Sequence, residues 1–230
     1  MPFTLARPVF TLCLALVLGF MLPGCSSKPP RLVPPTPIAG LPDKVELGGV
    51  PFYRSVQPPG AAEALAAALR QQNIAVTPGM VEAALGKPTS QGGMNEAMAE
   101  AARQYGLLVY PVEPSLEALM FQVAAGYPVM VAYRPGPMFI GEARYALLVG
   151  FDRFHKEVVL RAGQQRRLRL DAGDFTSAWR REGNWAVLLQ QPTQLPARVD
   201  EQRWRDAAAR LAQAGQEQAA AKAIATLQRR

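Results

Sequence analysis

Cysteine and histidine are the scarcest chemistry-bearing residues here: two cysteines, Cys13 and Cys25, and a single histidine, His155, in 230 residues. A zinc site needs several His, Cys or carboxylate groups converging on one point, so these counts argue against one. Beyond Cys25 the same count excludes both an internal disulfide and a cysteine nucleophile. His155 sits in the polar run Asp152-Arg153-Phe154-His155-Lys156 between two apolar stretches, the setting of an exposed turn residue. No phosphate-cradling loop stands out either: Gly92-Gly93 lacks both the following lysine and the strand–loop–helix setting. No metal and no cofactor are implied.

Charge is modest as well, at 19% of residues. Only Arg7 of the charged residues precedes Cys25, so the 25 basic and 18 acidic residues fall to 24 and 18 after it, a net charge of +6. Part of the excess is the cluster Arg166, Arg167 and Arg169. Clustered arginines can read nucleic acid, but Arg166-Arg167-Leu168-Arg169-Leu170 alternates as a half-buried strand does. A solvated strand face is expected, and no nucleic-acid partner.

The longest apolar run, residues 9–21, follows the short segment that carries Arg7. That is the layout of a secretory signal, too short to span a bilayer. It ends in Leu22-Pro23-Gly24-Cys25, which resembles the lipobox of bacterial lipoproteins. The resemblance implies cleavage before Cys25, acylation of that cysteine, and a lipid anchor strong enough to hold the protein at a membrane. Ser26 and Ser27 follow instead of aspartate, which by the family's rules implies the periplasmic face of the outer membrane. The alternative is a plain signal peptide with an incidental cysteine. Six prolines between residues 26 and 42 then make an extended, semi-rigid tether.

Residues 45–53 are expected to form a lead-in strand. The Pro58-Pro59-Gly60 turn stops it, and the alanine-rich stretch 61–72 has strong helix propensity. Thr77-Pro78 supplies an N-cap and a first-turn proline for a short helix closing at Gly86. A further helix is expected over 94–105 with Gly106 just past its end, then an apolar strand over 107–112. Another helix follows from about Pro114 to Gly126. After it the pattern turns to short Val-, Leu- and aromatic-rich runs at 127–133, 145–151, 158–160, 166–170 and 185–189, with helix at 174–181. Helices first and antiparallel strands later predict an α+β fold, a helical layer beside a strongly curved sheet.

Beyond Pro192 and Pro196, residues 199–230 read as two amphipathic helices broken at Ala214-Gly215. Trp204, Ala208, Leu211, Ala220, Ile224 and Leu227 fall where they resemble one tetratricopeptide repeat. A single copy cannot bury its face alone. It is expected to dock on the preceding domain, to make an oligomer contact, or to bind a partner helix.

Three stretches carry a wider resemblance. They are Val50-Pro51-Phe52-Tyr53 before the alanine-rich helix, Gly93-Met94-Asn95-Glu96 through Tyr105-Gly106-Leu107, and Tyr145-Ala146-Leu147-Leu148-Val149-Gly150-Phe151-Asp152. Together they resemble the double-glycine, bacteriocin-processing branch of papain-like cysteine peptidases, and in particular a lipoprotein subgroup with a C-terminal tetratricopeptide region. The resemblance implies four parts: a signal peptide at 1–24, a lipidated tether at 25–44, a papain-like domain at 45–191, and a helical hairpin at 199–230.

Carried over residue by residue, the family's functional positions are vacant. Its Gln-Cys-Gly-Pro-Ala-Ala falls on Gln57-Pro58-Pro59-Gly60-Ala61-Ala62, so the nucleophile position holds Pro58. The general base falls on Arg144, and the group that should orient it falls near Arg161. Arg54 or Ser55 lies nearest the oxyanion-hole glutamine. Proline has no nucleophile, and an arginine does not act as a base at neutral pH. The resemblance therefore implies a pseudopeptidase that binds a peptide or protein partner or serves as a scaffold. Arg144 would hold a carboxylate or else pair with Glu142 or Glu63. Ser55, Gln57, Gly92 and Gly93 are candidate binding residues, with the loop 134–141 as a rim. Two other readings stay open: a hydrolase rebuilt on Ser55, and a protein whose C-terminal hairpin is the working part. The sequence leaves the oligomeric state open.

Overall fold

A computed structural model describes residues 34–88, 90–136 and 141–230. The signal segment and Cys25 lie outside the described residues, as do residues 137–140 of the expected rim. The described residues make one compact unit.

The chain runs β1 (Lys44–Glu46), α1 (Ala61–Gln71), α2 (Pro78–Leu85), α3 (Gln91–Gln104), β2 (Leu108–Pro111) and α4 (Leu116–Ala124). It continues through β3 (Val129–Tyr133), β4 (Arg144–Asp152), β5 (Glu157–Ala162), β6 (Gln165–Asp171), α5 (Ala172–Arg180) and β7 (Ala186–Gln190) to α6 (Glu201–Gln213) and α7 (Glu217–Gln228). Local chemistry sets many of these boundaries. Thr77 caps α2 and Ser115 caps α4, each side chain accepting a backbone N–H of the first turn. The Ser90 hydroxyl accepts the Gly93 N–H at 3.0 Å, so α3 starts at Gln91, three residues earlier than expected.

The strands form one antiparallel sheet in the order β2-β7-β3-β4-β5-β6, with β1 added along β4. The predicted lead-in strand over 45–53 is cut to the three residues of β1. Gly48 and Gly49 turn the chain away, and Pro51 has no N–H to give to a ladder. β1 reaches β4 only because position 150 is glycine: a Cβ there would stand 2.7 Å from the Val45 carbonyl oxygen.

Burial on both faces marks β4 as the centre of the sheet. Ala146 and Leu148 point into one core with residues of α4, α5, α6 and α7, whereas Tyr145, Leu147 and Val149 point into a second core with α1, α2 and α3. The expected helical layer, α1 to α3, thus covers one face of the sheet, and α4 to α7 cover the other. A strand buried on both sides reads as a continuous apolar run, and Tyr145-to-Phe151 does.

The C-terminal helices close one of these cores. Trp204 is fully buried, its ring centroid 6.2 Å from that of Tyr110 on β2, and its Nε1–H donates to the Ala223 carbonyl at 2.9 Å. The Asp200 N–H donates to the Tyr110 hydroxyl at 3.0 Å. The amphipathic faces of α6 and α7 are therefore spent on the body of the same chain.

Candidate functional site

The site forms where α1 begins. Gly60 caps this helix with φ 68°, a left-handed conformation that favours glycine, and no side chain caps the first turn. The exposed segment Val56–Pro59 leads into it. A hydrogen bond from the Tyr145 N–H to the Pro59 carbonyl, 2.9 Å, fastens that segment to the start of β4. Pro58 and Arg144 consequently line one cavity of about 140 Å³, together with Ser55, Gln57, Gly163 and Gln164. A wider groove of about 410 Å³ opens on the other side of the same turn, against α2 and α3.

Arg144 is exposed at the first position of β4, opposite Tyr133 of β3 in the sheet register. Burial pushes the Tyr133 phenol up, while the Arg144 guanidinium beside it acts the other way. Among the described residues no carboxylate pairs with Arg144, so neither Glu142 nor Glu63 takes the role considered for it. Its charge remains available to a ligand.

Tyr145, one residue on, is the side chain packed under the site. Its hydroxyl donates to Asn95 Oδ1 of α3 at 2.5 Å, and its ring meets Trp185 edge-on at 5.6 Å. Burial pushes its phenol far above the usual range, with the Glu182 carboxylate adding to the shift. In the sequence Tyr145 and Asn95 stand only as parts of family motifs. Alternation along β4 is the signal that separates an inward Tyr145 from an outward Arg144.

Arg161 lines a small pocket with Ser55, Gly60 and Tyr145, but its guanidinium is committed to backbone. It is 7% exposed and lies on the face of the sheet toward α1, where its Nη2 donates to the carbonyls of Leu47 (3.0 Å) and Gly48 (2.9 Å). Burial pulls its pKa down, and Arg166 adds to the shift. It is a strap on the β1–α1 connection, and its tie is made to backbone oxygens that no sequence pattern announces.

Ser55 is buried, and its Oγ–H donates to the Gln57 carbonyl at 2.8 Å. Its own N–H donates to the Gly163 carbonyl at 2.9 Å. The hydroxyl is thus engaged with backbone, and no imidazole, amine or carboxylate among the described residues bonds to it. Gln57, Pro58 and Pro59 are exposed on the ridge between the two cavities, and Arg54 points to solvent. Gly92 and Gly93 are not loop residues at the cleft, as expected, but the first turn of α3. Met94, next along that helix, is the α3 residue that lines the groove.

The lone imidazole is at the far end of β4. His155 Nδ1 lies 2.9 Å from Asp152 Oδ2, and its backbone N–H donates to the same carboxylate at 3.0 Å. Arg144 and Asp152 are the two ends of the nine-residue β4, roughly 25 Å apart at strand spacing, so His155 takes no part in the cleft. Among the described residues no group of three or more His, Cys, Asp or Glu could hold a metal ion. No helix among them is long and apolar enough to cross a membrane.

A helical layer whose first helix starts against the end of a buried antiparallel strand, with the two walls of a cleft on either side, defines the papain-like class of fold. Among solved structures the chain is similar to the crystal structure of a "putative C39-like peptidase from Bacillus anthracis". The TM-score is 0.53 at 16% identity, over 64% of this chain and 98% of that one. The likeness shows the α+β, papain-like fold. Comparison with family models and with curated proteins finds no match.

Proposed function

We propose that this protein is a lipid-anchored periplasmic lipoprotein whose papain-like domain binds an extended peptide and does not cut it. One observation carries the reading. The positions that align with a nucleophile and its base hold Pro58 and Arg144, and these two residues share the cavity at the mouth of α1. Peptide hydrolysis in this fold needs a thiolate to attack and an imidazole to carry the proton to the leaving amine. Neither group is present there. What remains is a cleft with an exposed guanidinium suited to a bidentate carboxylate contact, such as a peptide C-terminus. The lipobox-like Leu22-Pro23-Gly24-Cys25 supports anchoring through Cys25, and the proline-rich residues 26–42 would hold the domain off the outer membrane. The C-terminal hairpin is the tetratricopeptide-like part, and its docked face supports a role as a structural element of the domain.

Isothermal titration with extended peptides ending in a free carboxylate tests the reading. The native protein binds them, and Arg144→Ala weakens binding about tenfold, the worth of one charge-assisted contact. Equal affinity of the two proteins removes Arg144 from the account. Radiolabelled palmitate incorporated into the native chain and lost in Cys25→Ser tests the anchor.

A further inference from the structure

The two cavities beside the Pro58–Pro59 turn differ in charge. Arg144 is the charged residue of the smaller one. The wider groove has an apolar floor that includes Val56, Pro58, Pro78, Leu85 and Met94, and its charged lining residues are Glu63 and Glu82. Val56 is 76% exposed at its edge, far more than a valine keeps when the surface around it is closed. Among the described residues neither Glu63 nor Glu82 forms an ion pair or a side-chain hydrogen bond, whereas Glu46, Glu96, Glu157 and Glu182 are each matched to an arginine.

Resting on the peptide-binding reading above, we propose that the wider groove selects its peptide by charge. It takes a segment in which an apolar side chain is flanked by lysine or arginine, with the peptide's carboxylate end toward Arg144 on the other side of the turn. The apolar side chain covers the Leu85–Met94 floor. The flanking cations meet Glu63, on the first turn of α1, and Glu82, on the outer side of α2. Acidic peptides meet two carboxylates on that side and are rejected, because opposed like charges select against wrong partners more than they add affinity to right ones.

Three fluorescein-labelled octapeptides test this by polarisation with the full-length protein. Each contains one leucine between two variable positions, a Gly-Gly pair and a free C-terminal carboxylate. The variable positions are both lysine, both glutamine or both glutamate. The native protein binds the lysine peptide about fivefold tighter than the glutamine peptide, and the glutamate peptide weakest. The spread narrows as salt is raised. Glu82→Gln, at an exposed helical position, narrows the lysine peptide's advantage over the glutamine peptide, and Glu82→Gln together with Glu63→Gln abolishes it. Equal binding of all three peptides by native protein, or a preference that survives Glu82→Gln together with Glu63→Gln, overturns the charge selection and leaves peptide binding standing. Failure of all three to bind overturns both.

Discussion

The Tyr145 N–H donates to the Pro59 carbonyl at 2.9 Å, and that bond joins the mouth of α1 to the first residues of β4. It brings Pro58 and Arg144 into one cavity although they are 86 positions apart in the chain. The same residue anchors the site from below through its ring and hydroxyl, so the cleft is built on a buried support while the groups that face a ligand stay exposed.

Tyr145 therefore separates support from recognition. Tyr145→Phe removes the hydroxyl bond to Asn95 and lowers stability by about 1 kcal/mol. Tyr145→Ala empties a buried aromatic site between α3 and Trp185 and costs about 3–5 kcal/mol. Urea unfolding of the two variants measures both, and equal small losses would contradict the packing described.

Asp152 gives the protein a pH signature. Burial alone would raise this carboxyl, but hydrogen bonds from His155 and Lys44 outweigh it and hold the group well below the usual carboxylate range. A depressed folded-state pKa contributes stability that is present above the unfolded value of about 3.9 and is lost as pH falls below it. Asp152→Asn is expected to cost about 2 kcal/mol at pH 7. The gap between native and variant closes progressively below about pH 4. Thermal melts across pH 2–8 (about that range suffices) test this, and a gap independent of pH would refute it.

Arg161 tests a structural assignment against a functional one. Arg161→Met leaves the Leu47 and Gly48 carbonyls without their guanidinium partner and is expected to destabilise by about 2–3 kcal/mol. Peptide affinity at the cleft, measured well below the melting midpoint, stays within about twofold of native. A stable variant with lost binding would instead place Arg161 in recognition.

Trp204 tests whether the C-terminal hairpin belongs to the domain. Trp204→Ala is expected to cost about 3–5 kcal/mol, and its denaturant transition stays single. Two separate transitions would show that α6 and α7 fold independently of the sheet.

Much of the fold was legible because it is written in local chemistry. Thr77-Pro78 sets the start of α2, Gly106 and Gly126 follow the ends of α3 and α4 with positive φ, and Gly215 breaks the final pair of helices. The buried strands β3, β4 and β7 are continuous apolar runs. What escaped the sequence depends on distant partners. The shortening of the lead-in strand follows from Gly48-Gly49 and from Arg161 reaching across the sheet. The second helical layer follows from both faces of β4 being covered. At the site, the family resemblance marks Pro58 and Arg144, but the burial of Ser55 depends on its tie to the distant Gly163, and the helical placement of Gly92 and Gly93 on the Ser90 cap.

A cleft that holds Pro58 and Arg144 in place of a thiol and an imidazole is expected to bind a peptide without cutting it. Incubating the full-length protein with an extended peptide containing Gly-Gly, then reading bound fraction and peptide mass in the same sample, tests it most directly. The predicted result is saturable binding, weakened by Arg144→Ala, with every peptide recovered intact. Peptide fragments that accumulate with time and disappear in Ser55→Ala would contradict it.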